Sequence, residues 1–176
     1  MAESFNKAVK RSVGIVTANS GGVISTTTTT ISGISTAGVA VGDFVLNNNF
    51  RIGAKVSSVG TGAVTMSEAS VNTAYAAGQQ VDFSRPVDVL TASEKNIIIG
   101  GTLSNLTNAQ ISATVVVSTS DNTDVMLLAD IPVPNGSSVV ISDAGKTVLG
   151  AGDTVRVFSN TNNSLDVNFS FLTGVN

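Results

Sequence analysis

Apolar and polar residues alternate with period two along most of this chain. That spacing turns one face of a β-strand toward a core and the other toward water. The clearest case is Leu165, Val167, Phe169 and Phe171, which alternate with Asp166, Asn168 and Ser170. The same pattern predicts strands over residues 13–17, 23–31, 39–41, 44–46, 52–59, 63–66 and 80–83. After a break it predicts strands at 87–90, 97–99, 111–118, 125–129, 139–141, 147–149, 154–158 and 165–172. Turn-forming clusters separate them, among them Asn19-Ser-Gly-Gly22, Asn47-Asn-Asn49, Gly60-Thr-Gly62 and Asp121-Asn-Thr-Asp124. Thr26 to Thr30 are five consecutive threonines, and because threonine favours strands they are assigned to one. The Ala-rich residues 68–77 are the one segment predicted to form a helical turn or two. Residues 100–108 read as a polar loop, and Pro132-Val-Pro134-Asn-Gly136 as a loop too rigid for a central strand.

Short strands with Gly/Asn turns at this spacing predict an all-β protein, built as a β-sandwich or jelly-roll-like domain. Ser84-Arg85-Pro86 interrupts the pattern, since proline restricts both itself and the residue before it. A module boundary is placed there. Ahead of it lies a second small module, β-barrel-like or simply β-rich. Beyond it, the expected core is Val115, Val117, Leu127, Val139, Ile141, Val155, Val157, Leu165, Val167, Phe169 and Phe171.

Composition narrows the chemistry. Among 176 residues there is no His, Cys or Trp. A Ser-His-Asp triad, a thiolate nucleophile, a Cys/His zinc site and a disulfide framework are therefore all excluded. Only 12% of residues are charged, and Ser, Thr, Asn and Gly take their place. Surfaces of small polar residues pack closely with little charge to desolvate, which suits assembly. A glycosidase-like carboxylate pair, or passive glycan binding, calls for aromatic platforms, and here Tyr75 is the only Tyr. Asp121 and Asp124 lack the ligand count and spacing of a calcium loop and read as an Asx-type turn. Gly150-Ala-Gly-Asp153 is followed by no Lys-Ser/Thr, so it reads as a hairpin turn rather than a phosphate cradle. No enzymatic activity, catalytic residue, cofactor, metal or small-molecule substrate is expected.

Charge singles out the N-terminus. Residues 1–11 carry Lys7, Lys10 and Arg11 against Glu3, a net of +2, while the rest of the chain is at −5. Three cations and one Phe fall short of a nucleic-acid-binding stripe. No apolar run approaches the length of a membrane span, and residues 1–11 lack the apolar stretch of a secretory signal, so nucleic acid and membrane are not expected partners. Phe5 and Val9, four residues apart, would share a face in a short helical turn. An isolated helix of that length is marginal, so the arm is expected to stay disordered until a partner orders it. Phe5, Lys7, Val9, Lys10 and Arg11 are the candidate partner interface.

Two stretches carry a resemblance. Residues 31–83 include Gly53, Val56 and Val59, then Met66-Ser67, an Ala/Thr-rich segment and a closing Val81-x-Phe83. They resemble a small all-β module recurring in tailed-phage virion proteins and bacterial surface proteins. Residues 130–172, with DIPVPNGSSVVI, GKTVLGAGDTVRV and NSLDVNFSFL, resemble the closing half of small all-β virion structural proteins of tailed bacteriophages, including marine and cyanobacterial ones. The opening MAESFNKAVKRSVG is similar to the start of such proteins. The resemblance implies a sandwich formed by 1–17 (arm and first strand) and 85–176, with 18–84 inserted as a small β module. It further implies a non-enzymatic structural protein of the virion, assembled in the host cytoplasm. Foremost is a capsid decoration (cement) protein on the head, with the major capsid protein and copies of itself as partners and a trimer as the expected homo-oligomer. The rivals are a neck, baseplate or tail-fibre attachment protein and, from another class, a glycan-binding adhesin module for host recognition.

Overall fold

The computed structural model describes residues 3–71, 76–141 and 146–174. The protein is all-β: among the described residues there are seventeen strands and no helix. The chain divides into two compact units, Met1–Gly14 with Val87–Asn176, and Ile15–Pro86. In chain order, β1 (Ser4–Val13) lies in the first unit. The second holds β2 (Val16–Thr17), β3 (Gly22–Ile24), β4 (Thr30–Ser32), β5 (Phe44–Leu46), β6 (Val56–Gly60), β7 (Ala63–Met66), β8 (Ala76–Gln79) and β9 (Asp82–Ser84). The chain then returns to the first unit with β10 (Val87–Thr91), β11 (Asn96–Asn105), β12 (Ile111–Ser118) and β13 (Asp124–Val133). It closes with β14 (Ser138–Ile141), β15 (Thr147–Leu149), β16 (Thr154–Ser159) and β17 (Leu165–Thr173).

In the first unit the antiparallel ladders nest like a hairpin folded back on itself. β12 pairs β13, β11 pairs β14 and β15 along successive stretches, β10 pairs β16, and β1 pairs β17. Two further ladders, β11–β17 and β12–β16, stitch these pairs into two sheets. One runs β1-β17-β11-β14, with β15 also on β11; the other runs β10-β16-β12-β13. Nested pairing divided over two sheets in this way is jelly-roll connectivity. Both sheets contribute to one core, which includes Val13, Leu103, Val115, Val155, Val157, Leu165, Val167 and Phe169. The predicted core positions Val117 and Phe171 are also buried, and Leu127, Val139 and Ile141 pack against the core half-buried.

Two glycines are obligatory. A Cβ on Gly101 would lie 2.7 Å from the Asn168 carbonyl oxygen and 2.8 Å from the Phe169 ring, so its absence lets that ring lie over the neighbouring strand. At Gly14, φ is +126° and a Cβ would sit 2.0 Å from the Thr161 carbonyl oxygen. The chain turns there into the inserted unit, in a conformation closed to L-residues with side chains.

The second unit has a three-stranded sheet, β2-β9-β5, and a five-stranded one, β6-β7-β4-β3-β8. Its own core includes Ile24, Ile31, Phe50, Val56, Val64, Met66, Val81 and Phe83. Its entry and exit lie side by side: Val16 pairs with Ser84, and the Arg85 N–H donates to the Ile15 carbonyl at 2.9 Å.

Several local expectations are corrected. Over its described residues the N-terminal arm is extended rather than helical, and from Ser4 it belongs to the ten-residue strand β1. The strand expected over 13–17 breaks at Gly14, and Val16–Thr17 pairs with β9 in the inserted unit instead of joining the sandwich. The five threonines are largely hairpin loop between β3 and β4, where Thr27 takes a left-handed φ of 49° and the Thr28 hydroxyl accepts the Thr30 N–H at 3.2 Å. Short-range side-chain-to-backbone bonding of this kind outcompetes strand propensity. Residues 39–41 form no strand. In the Ala-rich segment Ala76 opens β8, and residues 72–75 lie outside the described residues. The polar residues 100–105 belong to β11. Pro132 does lie in a strand, but β13 is a sheet edge, where a missing N–H is tolerated.

Candidate interaction surface

β1 forms because its residues alternate across a sheet edge. Opposite β17, Ala8 faces Phe169 and Asn6 faces Phe171 on the core side. Phe5, Lys7 and Val9 therefore point outward, opposite Leu172, Ser170 and Asn168. Four apolar side chains line up straight across the sheet: Phe5 on β1, Leu172 on β17, Ile97 on β11 and Val148 on β15. Phe5 is 78% exposed and Val148 55%. A second row runs Val9, Asn168, Thr102, Val140, with Val9 56% and Val140 64% exposed at its two ends. Between the rows the β11 register shifts from Ile98 to Gly100, and the extra residue, Ile99, is exposed. A bulge re-aims a side chain in this way. Phe5, Asn6, Lys7, Ile99 and Ser170 enclose a shallow hollow of about 510 Å³.

The five candidate residues all lie on β1 but not on one face. Phe5, Lys7 and Val9 share the outer face; a strand aligns positions four apart as a helix does, because four is a multiple of two. Lys10 sits opposite Val167 on the core side of the ladder, exposed at the edge. Arg11 reaches back to Asp166, 3.6 Å from its carboxylate, which also accepts the Ser12 N–H at 2.9 Å. This contact accompanies the β1 register shift between Lys10 and Val13, where Ser12 has φ 54°. Among the described residues no carboxylate pairs with Lys7 or Lys10. Sequence reasoning missed Ile97, Ile99, Val140, Val148 and Leu172. The available signal was adjacent apolar residues within strands, as in Ile97-Ile-Ile99, Val139-Val140 and Phe171-Leu172. Where one face of a strand lies on the core, alternation turns the other residue of each adjacent pair outward.

Elsewhere the polar clusters serve architecture. Asp121 accepts from the Thr119 hydroxyl, and from the Thr123 N–H at 3.2 Å, in the turn between β12 and β13. The Thr119 hydroxyl foremost, then Thr123, holds the exposed Asp121 carboxyl below the usual carboxylate range. Asp153 caps its own turn by accepting the Gly150 N–H at 2.8 Å, and it accepts the Ser120 N–H at 3.0 Å. Among the described residues no group of three or more acidic side chains is arranged to hold a metal. In the second unit the Arg85 guanidinium grips the buried Asp43 through two bonds, at 2.9 and 3.0 Å, and donates to the Gly38 carbonyl at 2.8 Å. Bonding to Asp43 raises the Arg85 pKa further above its ordinary value.

Comparison of the chain with protein-family models, curated proteins and solved structures returns no match.

Proposed function

We propose that this protein is a non-enzymatic structural component of a tailed-phage virion, a decoration protein that seats on the head through the outer face of the β1 sheet. The observation that carries an assembly role is the apolar row Phe5, Leu172, Ile97, Val148, on the side of the sheet turned away from the jelly-roll core. The outer face of a sandwich sheet is ordinarily polar, and a contiguous exposed apolar patch marks an interaction site. The virion assignment comes from the resemblance of residues 130–172 to small all-β virion proteins, with residues 31–83 resembling a module shared by virion and bacterial surface proteins. The jelly roll serves capsid and lectin domains alike and by itself favours neither. The absence of His and Cys supports a non-enzymatic role by removing thiolate and imidazole chemistry. Self-association into a homo-oligomer, a trimer by expectation, would cover part of the same apolar surface.

The test is to purify particles from cells producing the chain, count its copies against the major capsid protein, and locate it in averaged particle images. Hundreds of copies on the head surface are expected. A few copies at the neck or baseplate would replace decoration with an attachment role. Absence from particles, together with saturable binding on a glycan array, would replace it with an adhesin.

A further inference from the structure

We propose that the open edge of β1 receives an extended segment of another protein, alternating apolar and acidic, as an added strand of the sheet. The inference rests on reading the β1 face as the attachment surface, and it specifies what attaches there. β1 is ten residues long and, among the described residues, pairs only with β17, so its second edge offers unpaired backbone N–H and C=O groups. Such an edge is a template for strand addition. Cations on a free edge also guard against aggregation, which accounts for Lys7 and Lys10 alone. It leaves unexplained why Phe5 and Val9 flank Lys7 on the outer face, with Phe5 heading a row of four apolar side chains.

The side chains set the partner's pattern. A strand laid along β1 would place alternate residues beside Phe5, Lys7 and Val9, and cross-strand neighbours on one face interact directly. Apolar residues beside Phe5 and Val9 would extend both rows, and a carboxylate beside Lys7 would meet an unpaired cation. The required pattern, apolar-x-acidic-x-apolar, reads the same in either strand direction. A second acid placed on the opposite face would meet Lys10. A second copy of this chain fits poorly, because pairing β1 with itself crowds six cations, Lys7, Lys10 and Arg11 from each copy, onto two adjacent strands, and like charges on facing strands repel.

The test uses the intact protein and a capped peptide, Glu-Val-Thr-Glu-Thr-Val-Glu, with its counterpart carrying Lys for each Glu. Amide hydrogen exchange along β1 is the readout. The acidic peptide is expected to slow exchange in residues 4–10, with the lysine peptide weaker by at least about tenfold, or 1.4 kcal/mol. A Lys7→Glu/Lys10→Glu variant is expected to reverse that preference with an unchanged circular dichroism spectrum, and Phe5→Ser to weaken both peptides. Equal protection by both peptides, or by neither, overturns the proposal. So does equal protection by a single-stranded oligonucleotide, which would assign the cations to polyanion binding. Protection of β1 that rises with protein concentration and no peptide assigns the edge to a second copy and also overturns it. The two readings fail separately: a protein present on particles but blind to the acidic peptide keeps the virion role and loses strand addition, and the converse result does the opposite.

Discussion

At the residue scale, the most informative polar side chain is one the sequence placed in a loop. Asn105 is the last residue of β11 and is buried. Its amide nitrogen donates to the carbonyls of Ala109 (2.7 Å), Val133 (2.9 Å) and Pro134 (3.1 Å). Its side-chain oxygen accepts from the Thr107 N–H (2.7 Å) and hydroxyl (2.9 Å). One side chain thus satisfies backbone groups of the β11–β12 connection and of the end of β13. Replacing it with Ala removes this partner from the Val133 carbonyl and the Thr107 N–H, while the Ala109 carbonyl keeps the Thr107 hydroxyl and the Pro134 carbonyl keeps Ser137; the cost is about 1–3 kcal/mol. Asn105→Ala is therefore expected to lower the sandwich's unfolding free energy by that amount, read from a urea titration; a loss below about 0.5 kcal/mol would mean water replaces the amide. None of this was legible beforehand. Asn in a polar run reads as turn chemistry, and only the folded register reveals that its neighbours are backbone carbonyls.

At the element scale, β17 and β1 show what alternation can and cannot convey. β17 was legible from its pattern, because both rows of its side chains have settled environments: Val167, Phe169 and Phe171 face the core, and Asp166, Asn168 and Ser170 face outward. β1 carries no such signal. Ala8 and Val13 are its only residues that are not exposed, so hydrophobic periodicity has almost nothing to report, and the strand forms because β17 supplies a ladder. Truncation therefore carries a cost to stability. Removing residues 2–11 takes away the partner of residues 167–173 and uncovers a new edge beside Phe169. The sandwich is then expected to lose at least about 1 kcal/mol, a drop of roughly 4–8 °C in melting temperature for a domain of this size. An unchanged melting temperature would show that β1 lies against the sheet without stabilising it. The candidate site was half legible for the same reason: charge and Phe5 pointed to β1, but its apolar neighbours Ile97 and Val148 come from strands distant in sequence.

At the scale of the whole molecule, two cores on one chain predict two unfolding events. The inserted unit begins and ends on paired strands, β2 and β9, and has its own buried cluster around Ile24, Val64, Val81 and Phe83. The jelly roll is interrupted in sequence between β1 and β10, yet its nested ladders close without contribution from residues 15–86. Each unit therefore holds the interactions that make folding cooperative, and a single two-state transition is not expected. Two substitutions separate them. Phe169→Ala deletes a fully buried ring from the jelly-roll core, at about 3–5 kcal/mol. Arg85→Met strips the partner from Asp43, leaving a buried carboxylate with the Ala40 N–H at 2.8 Å as a remaining donor. Its cost is expected to exceed about 1 kcal/mol, because removing one member of such a pair leaves an uncompensated charge. In calorimetry Phe169→Ala should move one transition down and leave the other in place, and Arg85→Met should move only the other. If both substitutions shift a single common transition, the units fold as one cooperative body. The insertion would then be a structural part of the jelly roll, and strand pairing at its ends would be too weak a warrant for independence.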